Sequence, residues 1–113
     1  MSLYSEYIRE IGCGREVLEI EGVAFATYYI HTEQKECYIE DMYIRPRYRN
    51  GGMLTKLLSD VERFAKDKGC IVLTHGVVKK HRKFDQVKSI SHIHGFKEVH
   101  ETETEVYFAR DIK

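Results

Sequence analysis

The sequence predicts an α/β (α+β) domain: a mixed β-sheet, antiparallel at both ends and parallel in the middle, with helices on both faces. Three observations predict it. Residues 37–44 form a largely apolar run that ends in a basic, glycine-containing turn, Arg45-Pro46-Arg47-Tyr48-Arg49-Asn50-Gly51-Gly52. A strongly periodic helix starts at once, with Leu54, Leu57, Leu58, Val61, Phe64 and Ala65 on one stripe. A second short apolar run, Ile71-Val72-Leu73-Thr74, follows it. Strand, helix and strand in that order make a βαβ unit, whose strands run parallel with a right-handed crossover.

The remaining elements fall around this unit. Leu3, Tyr7, Ile8 and Ile11 space a short amphipathic helix over residues 3–11, which Gly12 and Gly14 punctuate. Val17–Ile20 reads as a strand, Glu21-Gly22 as a tight turn, and Val23–His31 as a second strand rich in β-branched and aromatic residues. A polar loop over 31–35 leads into the third strand, Cys37–Ile44. Its apolar residues occupy both parities, the pattern of a central strand covered on both faces. Lys66 and Lys68 suit the negative end of the long helix, and Gly69 suits the position just after it. Beyond the basic segment Lys79–Lys83, a weaker helix spans about 82–94 with Phe84, Val87, Ile90 and Ile93 on its apolar side, and Gly95 ends it. Phe96–Val99 and Glu105–Ala109 alternate as a closing hairpin. The order is α, β, β, β, α, β, α, β, β.

The totals bound the function. A chain of 113 residues, 42% hydrophobic and 12% aromatic, fits a single domain over 1–113 with a real core. Its 18 basic and 18 acidic residues cancel, so no global field favours nucleic acid or an anionic membrane. No run approaches the roughly 18 apolar residues of a membrane span. The opening Met1-Ser2-Leu3-Tyr4 lacks the charged-then-apolar export pattern. Cys13, Cys37 and Cys70 are odd in number and widely spaced, which reads as free thiols in a reducing cytoplasm. No residue spacing suggests a metal site.

The turn before the long helix carries the chemistry. It aims unpaired backbone N–H groups and the positive end of a helix at one point outside the sheet, where an anion, most often a phosphate, is the natural occupant. Arg45, Arg47 and Arg49 crowd the same turn. Ligands of such sheets bind beyond the carboxyl ends of the strands.

This order of elements and these motifs resemble the GNAT family of acetyl-CoA-dependent N-acetyltransferases over roughly residues 16–110. Ile44-Arg45-Pro46-Arg47-Tyr48-Arg49 is similar to the family pattern V-x-P-x-Y-R. Arg49-Asn50-Gly51-Gly52-Met53-Leu54 falls in register with Q/R-x-x-G-x-G/A, and Gly95-Phe96 with the later Gly-Phe. The resemblance implies acetyl-CoA or another acyl-CoA as cosubstrate, with no metal. The backbone of Asn50, Gly51, Gly52, Met53, Leu54 and Thr55, with Arg49, would hold the pyrophosphate. Pantetheine would lie along Met42, Tyr43 and Ile44, and a strand N–H near Met42 would polarise the thioester carbonyl. An amine of unknown identity would attack that carbonyl directly. Glu40 is the candidate base, placed by strand alternation on the face of Met42 and Ile44, with Tyr38 and His75 as alternatives. Ser91, or His92 or His94, would assist the departing thiolate.

The sequence also departs from the family. Leu54 replaces the second small residue of the turn; it begins the helix's apolar stripe, which favours inward packing. Ser91 stands where the family often has an acidic tyrosine, and Phe84 where it often has asparagine. The N-terminal region is shorter than usual. The alternative reading is therefore a catalytically degenerate module that binds acyl-CoA or serves structure and interaction. The resemblance also allows a homodimer through the final strands.

Overall fold

The computed structural model describes residues 3–11 and 14–113. Gly12 and Cys13, read above as punctuation and a free thiol, lie outside the described residues. The elements are α1 (Leu3–Ile11), β1 (Arg15–Ile20), β2 (Ala24–His31), β3 (Glu36–Ile44), a 3₁₀ turn (Pro46–Tyr48), α2 (Met53–Asp67), β4 (Val72–Val78), α3 (Phe84–Ile93), β5 (Lys97–Glu101) and β6 (Glu105–Asp111). The order and type of the α-helices and strands agree with the sequence reading; the 3₁₀ turn lies within the segment read there as the basic, glycine-containing turn.

The strands form one mixed sheet in the order β1-β2-β3-β4-β6-β5. Only β3 and β4 run parallel. Both crossovers, β3-α2-β4 and β4-α3-β5, step in the same direction across the sheet, so right-handed connection puts α2 and α3 on the same face. That face carries the core. Leu57, Leu58, Val61 and Ala65 of α2 are buried against Ala24, Ala26, Tyr28, Cys37, Ile39, Leu73 and Phe108. The opposite face carries α1, where Ser5 Oγ donates to Glu19 at 3.0 Å and Tyr4 meets Phe25 at 5.2 Å between ring centroids. No described helix is long and apolar enough to cross a membrane.

Both long connections end in the same device. Gly69, at φ +90°, follows α2; its N–H donates to the Lys66 carbonyl, and that of Cys70 to Ala65. Gly95, at φ +85°, follows α3; its N–H donates to His92, and that of Phe96 to Ser91. These paired bonds satisfy the orphan carbonyls of each helix and turn the chain into the next element.

Four local expectations are corrected. β4 extends to Val78, because its second half pairs with β6 rather than with β3, while Ile71 lies outside it and is exposed. Phe64 is 48% exposed, because the buried stripe of α2 is narrower than its apolar stripe. Ile93 is exposed at the end of α3. β3 is covered by α2 on one side only; Tyr43, on the other, is 47% exposed and stacks on Phe25.

Candidate active site

The site arises where β3 and β4 stop pairing. Their parallel register covers Glu36↔Val72, Cys37↔Leu73 and Tyr38↔Thr74, and then the strands part. Beyond Thr74, β4 keeps its full pairing with β6 through Val78, and β3 keeps its pairing with β2 through Ile44. The wedge between them opens a cavity of about 460 Å³, walled by residues 39–42 and 75–78 and roofed by α2 and α3. It lies at the carboxyl end of β3, beside the start of α2.

The turn leading into α2 has an open front. Arg49 N–H donates to the Pro46 carbonyl, closing the 3₁₀ turn. Gly52 is the residue before the helix, at φ +77°, a conformation that glycine adopts without a Cβ penalty. No side chain caps α2, and its first turn holds no acidic residue. A methyl group added to Gly51 or Gly52 would meet no atom within 4 Å. Leu54 packs against the core and lines the cavity wall, as its place on the apolar stripe predicts, so the turn is not plugged. The three arginines diverge. Arg49 Nε donates to the Ile44 carbonyl at 2.8 Å with its guanidinium over Tyr43; Arg47 lies over Tyr48. Arg45 lines a separate hollow with Tyr4 and Phe25.

Glu40 sits on a β-bulge. Thr27 pairs with Asp41 and Tyr28 with Ile39, so Glu40 is the extra residue between them. The bulge reverses the alternation: Ile39 and Met42 share a face, and Glu40 points to the other, a correction to the face predicted from period two. There it accepts from Thr27 Oγ1 and Tyr29 Oη, both at 3.2 Å, and pairs with Arg15 at 2.9 Å. Arg15 also donates to Tyr29 Oη at 2.8 Å. Strand alternation could have grouped Thr27 with Tyr29; the bulge that aims Glu40 at them leaves no mark in the sequence.

His75 and Ser91, predicted separately, are brought together. Ser91 Oγ lies 3.1 Å from His75 Nε2 and donates its proton to the Val87 carbonyl at 2.9 Å. With the serine proton so placed, the His75 ring nitrogen is the donor of the pair. His75 is also wedged between aromatics, stacked on Phe108 at 5.0 Å and edge-on to Phe96 at 4.8 Å. Burial pushes its pKa down to about 4, so it is neutral at pH 7. His92 and His94 do not join this pair; His92 approaches Glu98 at 3.8 Å, and the His94 carbonyl accepts from Arg110. Phe96 and Phe108 were missed as site residues, although the Gly95-Phe96 motif carried the signal for the first.

The comparisons with known proteins agree with this geometry. The model of the acetyltransferase (GNAT) family matches residues 5–84. The chain belongs to the GNAT family. An aminoglycoside N(6')-acetyltransferase type 1 from Acinetobacter genomosp. 13 is 37% identical over 76 residues, covering 66% of this chain and 47% of that protein. The thialysine N-epsilon-acetyltransferase of Bos taurus is 34% identical over 59 residues, covering 50% of this chain and 35% of its own length. The match thus spans less than half of either relative. Among solved structures, a GNAT-family protein from Desulfovibrio desulfuricans aligns over 96% of this chain and 76% of its own, with TM-score 0.81 at 13% identity. An aminoglycoside 6'-N-acetyltransferase complexed with coenzyme A aligns over 96% of this chain and 79% of its own, with TM-score 0.74 at 14% identity. At these identities the structural likeness speaks for the GNAT fold.

Proposed function

We propose that this chain binds an acyl-CoA, acetyl-CoA first among them, and transfers its acyl group to an amine. The observation that carries the reading is the parting of β3 from β4 beside an uncapped, glycine-opened helix start. Pyrophosphate is bound by the N–H groups of residues 50–55, where the dipole of α2 is positive and both glycines leave room. Arg49 adds charge at its edge. The pantetheine arm hydrogen-bonds to the main chain of Met42, Tyr43 and Ile44, whose partner strand has moved away. A strand N–H near Met42 stabilises the charge that develops on the thioester oxygen. Holding donor and amine together supplies most of the acceleration.

Glu40 receives the proton that the amine loses. It is half-exposed and lines the cavity, and its ion pair with Arg15 holds it oriented between turnovers. His75 and Ser91 shape the wall: a neutral, stacked imidazole and a serine whose proton is committed to Val87 hold α3 against β4. The acceptor is a primary amine on a cationic scaffold. The named substrates of the two sequence relatives support this, as does the acidic character of Glu36, Glu40, Asp41 and Glu105 on the open face. The exposed edge strand β5 is the surface for a homodimer, which sedimentation would reveal.

A second reading, a binding module without turnover, draws on the committed Ser91 proton and the ion-paired Glu40. Enzymatic release of CoA thiol from acetyl-CoA with a panel of amines, lysine analogues and aminoglycosides included, separates the two. Amine-dependent thiol release supports transfer. Saturable binding without release would establish the module instead.

A further inference from the structure

The wedge between β3 and β4 is polar at its rim and apolar at its closed end. Glu40, Asp41 and His81 line the solvent-facing rim. The parallel ladder stops at Tyr38↔Thr74, so Ile39 and His75 are the first residues past it and floor the closed end. Leu58, one turn into α2 from Leu54, stands above them with Ile90 of α3 and Phe96. Ile39, Leu58 and Phe96 are buried, and Ile90 is half-buried. The polar groups between them are already bonded. His75 donates from Nε2 to Ser91, and Ser91 donates to the Val87 carbonyl. The imidazole turns its face to Phe108 and packs edge-on against Phe96. His94 stands only at the far margin, at the end of α3. Among the described residues, no buried side-chain nitrogen or oxygen lacks a partner. A chamber with hydrocarbon walls and no unsatisfied polar group accepts a hydrocarbon and rejects a charge.

We propose that this closed end is an acyl-chain chamber, and that the site takes unbranched acyl-CoA donors of roughly four to six carbons more tightly than acetyl-CoA. The inference rests on the acyl-CoA reading above and names the donor class. Three directions are open to the groups around the thioester. Pantetheine arrives from the start of α2 along Met42–Ile44. The amine approaches from the open face, where Glu40 points. The acyl chain takes the third direction, inward past Ile39 and His75. Met42 and Ile39 are about two residues of rise apart once the bulge at Glu40 is discounted, roughly 7 Å. Acetyl, the shortest such donor, puts one methyl group at the entrance of that space. Each further methylene exchanges water for the side chains of Leu58, Ile90 and Phe96. Phe96 and the His75–Ser91 pair close the back, which sets an upper limit on chain length.

The test is calorimetric titration of the wild-type chain with acetyl-, propionyl-, butyryl-, hexanoyl- and decanoyl-CoA, repeated on Ile90→Phe, which narrows the chamber. Kd should tighten by about fourfold per added methylene from acetyl to butyryl, and decanoyl-CoA should bind more weakly than hexanoyl-CoA. In Ile90→Phe the ratio of acetyl to butyryl Kd should fall toward one; a ratio taken within one preparation is insensitive to partial loss of folded protein. Affinity that is level or falls from acetyl to butyryl would overturn the proposal and leave the acyl-CoA reading intact. A rise that continues through decanoyl would show adsorption of the chain outside a closed chamber, and would overturn it too. So would a variant that weakens every donor equally. A folded wild-type chain that binds none of the five removes the acyl-CoA reading itself.

Discussion

Ser91 Oγ lies 3.1 Å from His75 Nε2, and this contact ties the second half of α3 to the middle of β4 at the back of the cavity. The serine accepts from the imidazole and donates to Val87. Removing it leaves a buried N–H without a partner. Ser91→Ala should therefore destabilise the domain by about 1–3 kcal/mol, the usual penalty for an orphaned buried donor, while changing kcat less than Glu40→Gln does. Denaturant unfolding and steady-state rates on the same preparation check both halves.

The buried histidine makes stability depend on pH. Its pKa is about 4 in the folded chain and about 6.5 when unfolded, so the unfolded state binds more protons between those values. The contribution is fully present above pH 6.5 and is lost as pH falls toward 4. Two and a half pKa units set an upper limit of about 3 kcal/mol. Melting temperature should fall across that window, and His75→Phe, which keeps a ring between Phe96 and Phe108, should flatten the slope. A wild-type profile level from pH 7 to 4 would contradict the assignment.

Gly52 combines an open front with a left-handed backbone. Gly52→Glu should abolish CoA binding by charge and bulk while the domain stays folded. Gly52→Asn is the control: asparagine tolerates this backbone region, so it carries similar backbone strain with no charge. Calorimetry should show binding weakened far more by Glu than by Asn.

Glu40 separates catalysis from stability. Its pair with Arg15 is partly exposed, at 35% and 24% of the side chains, so solvent screening leaves it little weight in stability. Glu40→Gln should shift the denaturation midpoint little and lower kcat by roughly 100-fold or more. Equal activity in the variant would place the base elsewhere.

Cys37 and Cys70 should resist iodoacetamide at pH 8 in the native protein. Both thiols are buried, and burial pushes the Cys37 pKa up to about 12 and raises that of Cys70. Mass spectrometry of native and unfolded samples reads the difference directly.

How much was legible follows from where the information lies. The βαβ unit, the glycine turn and the inward packing of Leu54 are set by local periodicity, and sequence periodicity conveys them. The bulge at Glu40 is different: it depends on how β2 and β3 mesh, and Thr27, Tyr29 and Arg15 gather round the carboxylate only once that register exists. The His75–Ser91 contact joins residues 16 apart on two elements, and nothing in either segment announces it. Tyr43 and Phe64 look like core by composition; their exposure reflects a sheet face and a helix margin that no element covers.

The central claim is that the parted strands and the start of α2 form a coenzyme A site. Isothermal titration of the folded chain with acetyl-CoA tests it most directly. The account predicts saturable, one-to-one binding that Gly52→Glu abolishes. Absence of binding at millimolar acetyl-CoA, or binding unaltered by that substitution, would contradict it.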